Sequence, residues 1–198
     1  MRAKKYSRSR SKALDLDSSA EHSVAPQKSE VLTPDQWLEK ARSILLNRLS
    51  RGPRSKAQLR NLLEERQVPS EIAEGILDRF EEVGLIDDAK FAEAFARDKR
   101  QSRGLAKRAL AQELKKVGVS PEFSESALEE FDQESEVELA ITLVERRLAT
   151  VSNLDWQSRQ RRLYGYLGRR GFAANVIATA IARAEQGFVA QSETDSIS

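Results

Sequence analysis

The sequence predicts an all-α fold: an elongated array of three tandem three-helix repeats, helix-turn-helix-like modules, between disordered tails. Three observations carry this. Apolar residues recur at helical spacing from Pro34 to about Glu185, and no stretch alternates as a strand does. Ala, Leu, Glu, Arg and Lys fill these runs, while most of the 9 glycines and 5 prolines fall between them. The pattern also repeats with a period near 50 residues, as stacked helical units do. The expected units are 34–86, 87–132 and 133–186, with a basic N-terminal tail over 1–33 and a C-terminal tail over 187–198.

Each element has a local reason. Thr33 can cap a helix whose first position suits Pro34, and Trp37, Leu38, Ala41, Ile44, Leu45 and Leu49 mark its apolar face. Arg51-Gly52-Pro53 ends it. Ser55 and Gln58 form a capping-box pattern that opens a second helix through Leu59, Leu62 and Leu63. After Val68-Pro69-Ser70, a third helix carries Ile72, Ile76, Leu77 and Phe80, and Gly84 closes it. Asp87 and Asp88 start the next unit ahead of Phe91, Ala92 and Phe95; that helix breaks at Gly104, and Leu110, Leu114 and Val117 point its successor inward as far as Gly118.

The register repeats. Adding 51 carries Leu59 to Leu110, Leu63 to Leu114, Leu77 to Leu128 and Phe80 to Phe131. A further 53 carries Leu110 to Leu163 and Leu114 to Leu167, whereas the first helix of the third unit follows a shift of 48, Ala92 to Ala140. The five-residue difference is a longer loop before Trp156, which is expected to face the core with Leu163 and Leu167.

Charge is segregated although the net value is only +2. Arg97 to Lys116 holds eight basic residues and two acidic ones; Val119 to Glu145 holds nine acidic and no basic; Arg146 to Arg170 holds seven arginines and one acid. Such blocks create local fields that a net charge hides, although each alone is also what a solvated helix face looks like. The candidate binding residues are Arg97, Arg100, Arg103, Lys107, Arg108, Lys115 and Lys116 in the second unit and Arg161, Arg162 and Arg169 in the third. Arg108 and Lys116 map onto Arg161 and Arg169, while the first unit has Ala57 and Glu65 there. The expectation is a cationic flank shared by two units. Tyr164 and Tyr166 lie among these arginines, where rings could stack on bases, but Tyr166 leans toward the core and reads better as packing.

Chemistry is expected to be absent. Glutamates at 122, 125, 129 and 130 lie on several faces without His or Cys nearby and read as a solvated helix, not a metal site. No phosphate loop, dinucleotide fingerprint or nucleophile elbow is present, so no catalytic residue, cofactor or metal is expected. The lone His22 sits in the tail and receives no role. With no cysteine, no secretory signal pattern in the basic N-terminus and no apolar run long enough to span a bilayer, a cytoplasmic protein is expected.

The stretch Gly84-Leu85-Ile86-Asp87-Asp88, then Phe91-Ala92 and Phe95, then Gly104 and Glu113-Leu114 before Gly118, resembles the RecX family of bacterial recombinase regulators, over roughly residues 35–185. The resemblance implies tandem three-helix repeats without catalytic activity. It further implies a monomer whose partner is the RecA filament on single-stranded DNA, contacted along its groove, with restraint of ATP hydrolysis, filament growth and strand exchange. Direct DNA contact and a role in recombination, repair and the SOS response go with it. The runner-up reading is a stand-alone DNA-binding helix-turn-helix protein, weakened by acidic third helices such as the one carrying Glu71, Glu74 and Asp78, which suit a phosphate groove badly. A metal-dependent nuclease lacks a candidate metal site.

Overall fold

The structure, a computed structural model, describes residues 32–151 and 153–195, with side chains as far as Gly187. The N-terminal tail and His22 lie outside the described residues, apart from the last two positions before Pro34. Within them the chain forms α1 (Pro34–Leu49), α2 (Lys56–Glu65), α3 (Ser70–Glu82), α4 (Asp88–Arg103), α5 (Lys107–Lys116), α6 (Pro121–Leu128), α7 (Gln133–Val151), α8 (Trp156–Gly168) and α9 (Ala174–Asp195). These helices fall in threes, and no strand occurs among the described residues.

Capping decides where most of them start. Thr33 and Ser55 each complete a capping box, with Gln36 and Gln58 reaching back to the cap backbone. Asp87, Asp132 and Asp155 accept from the backbone N–H groups of Lys90, Ser135 and Ser158 at 2.9, 2.8 and 3.0 Å. Gly104 ends α4 in the left-handed region at φ 62°.

In each unit the first helix packs chiefly on the third. Leu59 and Leu63, Leu110 and Leu114, and Leu163 and Leu167 are fully buried, one pair per core. The repeat register in the apolar residues is therefore the register of three small cores. Trp156 is a correction: it is 61% exposed. It is the first residue of α8, and Leu154 packs on the core from the preceding loop instead. At the C-terminal end α9 runs as far as Asp195.

The units join through a clasp that occurs twice. The turn after α5 packs against the start of α2, where a Cβ on Gly118 would collide with Ala57, and Ser55 Oγ donates to the Val117 carbonyl at 2.5 Å. The turn after α8 packs against the start of α5, where a Cβ on Gly171 would lie 2.7 Å from that of Ala109, and the Ala106 N–H donates to the Arg170 carbonyl at 2.9 Å. A carboxylate from the next unit's first helix completes each clasp. Asp88 accepts from the Lys56 N–H (2.8 Å) and Glu136 from the Lys107 N–H (2.5 Å), satisfying orphan donors at helix N-termini. Ala106 makes no side-chain cap of its own, so α5 depends on Glu136 for this.

In the first unit the place of Gly118 and Gly171 is taken by Gln67, at φ 57°. Among the described residues no preceding unit packs there, so the position keeps its left-handed backbone without needing a missing side chain. Gln67→Gly should therefore stabilise the protein by about 0.5–1 kcal/mol, relieving the left-handed penalty minus glycine's entropy cost, read as a raised urea midpoint.

The aspartate caps set the acid limit. Asp87 is held below the ordinary carboxylate range chiefly by the Lys90 ammonium, and Asp132 and Asp155 by the backbone N–H groups of Ser135 and Ser158. With folded pKa values below the unfolded ones, the native state binds fewer protons than the unfolded chain. Their contribution is then complete above the unfolded value near 3.8 and is lost as pH falls through the folded values. Asp88 runs the other way, because burial in the clasp raises it. Urea midpoints measured downward from pH 5 should fall toward acid, and the Asp132→Asn/Asp155→Asn variant, which keeps neutral caps, should show a shallower fall.

Candidate functional site

Three of the ten candidate cations converge. Arg97, Arg100 and Arg103, a turn apart along the end of α4, line a groove of about 620 Å³ between the second and third units. Arg146 of α7 and Arg170, just after α8, complete it, and among the described residues no carboxylate lines it. Its apolar wall includes Phe131, Leu139 and Leu143.

The five guanidinium groups differ. Arg97 is neutralised by Glu130 at 2.9 Å and faces Glu93 at 3.6 Å. Arg100 is half-buried, lies over the Phe131 ring (4.7 Å) and donates through Nη2 to the Ser135 carbonyl (2.8 Å) and hydroxyl. Burial lowers its pKa, and its Nη1 is buried without a hydrogen-bond partner among the described residues. Arg103 has only a long approach to Glu113, 3.7 Å. Arg170 lies 3.8 Å over Tyr166 and donates to the Arg103 and Tyr166 carbonyls. Neither Arg146 nor Arg170 has an ion pair among the described residues.

The seven other candidates stand exposed on open helix surface: Lys107, Arg108, Lys115 and Lys116 on α5, Arg161 and Arg162 on α8, and Arg169 just beyond it. Lys116 is paired with Glu113 at 2.6 Å, an exposed pair worth little. Lys115 and Lys116 complement the negative end of the α5 dipole, so helix stability alone accounts for them. Lys107 and Arg108 do not fit that account. They occupy the first turn of α5, where the dipole disfavours cations; Glu136 of α7 meets the Lys107 backbone N–H there, but neither cationic side chain has an ion pair among the described residues. Tyr164 is exposed on α8, and Tyr166 packs on the third core with Arg147 and Arg170 over its ring.

Arg146 and Arg170 are the groove residues that charge reasoning missed, because each sat in a run readable as solvated surface. A signal was available in Gly171. A glycine recurring 53 residues after Gly118 marks a turn pressed against the preceding unit, which brings its neighbour Arg170 to the end of α4.

Repeated three-helix units, clasped head to tail and carrying cationic helix surfaces, define an all-α tandem-repeat protein. The RecX models for the first, second and third three-helix domains match residues 41–80, 87–128 and 134–181, and the chain belongs to the RecX family. The regulatory protein RecX of Thermobifida fusca is 43% identical over 143 residues, covering 72% of this chain and 77% of its own. That of Streptomyces coelicolor is 43% identical over 157 residues, covering 79% and 82%. The crystal structure of RecX from Lactobacillus salivarius superposes with a TM-score of 0.70 at 22% identity, over 77% of this chain and 99% of that one. A regulatory role comes with the family. No helix among the described residues is long and apolar enough to cross a membrane.

Proposed function

We propose that this protein binds the RecA recombinase filament on single-stranded DNA and restrains its ATP hydrolysis, extension and strand exchange, acting as a cytoplasmic monomer in recombination and repair. The observation that carries the reading is the pair Lys107 and Arg108. They are exposed cations at the wrong end of a helix dipole, which folding does not call for and an anionic partner does. Arg108 and Lys116 of the second unit and Arg161 and Arg169 of the third act as a shared flank on that partner, with Arg162 beside them. An array laid across neighbouring recombinase subunits opposes addition of the next one without chemistry of its own.

The test is the DNA-dependent ATPase of the cognate recombinase, titrated with the protein at two salt concentrations. Lys107→Ala/Arg108→Ala/Lys115→Ala removes three exposed cations with no ion pair among the described residues. It should need about tenfold more protein for half-inhibition and show a weaker salt dependence, since phosphate contacts set the salt slope. Unchanged inhibition would remove α5 from the interface. A defined protected sequence on duplex DNA without recombinase would favour the stand-alone DNA-binding reading.

A further inference from the structure

The groove between the second and third units has no counterpart in the reading above, which uses open helix surface. We infer that it is a docking site for a short acidic peptide segment of a partner protein. Carboxylates would seat on Arg146 and Arg170, and an apolar side chain would lie against Leu139 and Leu143.

Charge complementarity points to the occupant. Five arginines and no lining carboxylate make a concave, partly desolvated wall where the field is focused, and the planar forks of Arg146 and Arg170 suit carboxylates. Arg100 holds a buried Nη1 with no partner among the described residues, one more donor at the wall. A volume of about 620 Å³ accommodates a few side chains.

Two features favour a peptide over single-stranded nucleic acid. Bases stack on open aromatic faces, but Tyr166 is already covered by Arg170 at 3.8 Å and Phe131 by Arg100 at 4.7 Å. The groove is also bounded by acids: at one wall Arg97 is held by Glu130 at 2.9 Å and faces Glu93 at 3.6 Å. A polyphosphate running through would meet those charges; a short segment with one or two carboxylates need not.

The experiment needs neither recombinase nor DNA, so it can fail while the recombinase reading stands, and the reverse. Fluorescence polarisation of the full chain is measured with a short fluorescein-labelled peptide of Asp and Glu around a central Leu, and separately with an oligothymidylate of equal length. The peptide should bind, and Arg146→Ala should weaken it about tenfold, the loss of one charge-assisted contact. Arg146 is exposed and has no ion pair among the described residues, so the variant should fold, which circular dichroism checks. Lys115→Ala should leave peptide affinity unchanged. An absent peptide signal, or equal affinity for Arg146→Ala and the native chain, overturns the inference. Tighter binding of the oligothymidylate, lost in Arg146→Ala, also overturns it and makes the groove a nucleic-acid site.

Discussion

Gly171→Ala should destabilise the protein by about 3 kcal/mol, roughly twice what the same substitution costs at Gly84. Both glycines lie in the left-handed region, at φ 91° and 73°, so both variants incur the same kind of backbone penalty, about 1–2 kcal/mol. They differ in what a Cβ meets: nothing within 4 Å at Gly84, but Ala109 Cβ at 2.7 Å and Ala109 N at 2.9 Å at Gly171. Those contacts are with the first turn of a helix, which cannot yield locally. The third unit must back away, and the Ala106–Arg170 hydrogen bond opens with it. The Ala106 N–H, on a fully buried residue, then lacks its acceptor, which adds about 1–3 kcal/mol. Gly118→Ala should behave like Gly171→Ala through Ala57, and Ala57→Gly should partly rescue it, a coupling that urea denaturation of the four-member cycle measures. Equal losses at Gly84 and Gly171 would show that the clasps contribute nothing to stability.

Gln67 stands at the clasp-glycine position of the first unit. At the other end, the repeat register puts Arg162 at the place of Ala109, with Arg159 and Gln160 beside it facing Glu185 of α9, at 3.5 and 3.2 Å. A large cation thus takes the place of the small residue that receives a clasp glycine in the first two units.

The units were legible in the sequence because each core is filled by leucines at fixed helical spacing, and burial of Leu59, Leu110 and Leu163 follows from that spacing alone. The clasps were not, because apart from the recurring Gly118 and Gly171 their parts are backbone amides, two small alanines and single polar side chains from different units, which only tertiary packing brings together. The groove was half legible. Arg97, Arg100 and Arg103 lie a turn apart on one helix and could be grouped from sequence, whereas Arg146 and Arg170 reach them only through tertiary packing at the second clasp. Trp156 misled because its spacing from Leu163 is right, yet Leu154 of the preceding loop packs on that core instead.

Leu114→Ala and Leu63→Ala delete the same buried side chain from equivalent places, both fully buried, and each should cost about 2–5 kcal/mol locally. Their consequences should nonetheless diverge. The first unit is held to its neighbour by one clasp, so loosening its core releases α1–α3 (residues 34–82) and leaves the remaining pair intact. The middle unit takes part in both clasps, so loosening it deprives the units on either side of their partner surfaces. Nearest-neighbour energetics then predict that Leu63→Ala splits the urea transition in two, while Leu114→Ala lowers a single midpoint. Hydrogen exchange read by mass spectrometry separates the outcomes. Leu63→Ala should speed exchange in α1–α3 only, and Leu114→Ala in all three units. Equal acceleration in α7–α9 by Leu63→Ala would mean that the three cores unfold as one cooperative body, and that the clasps transmit rather than delimit the loss.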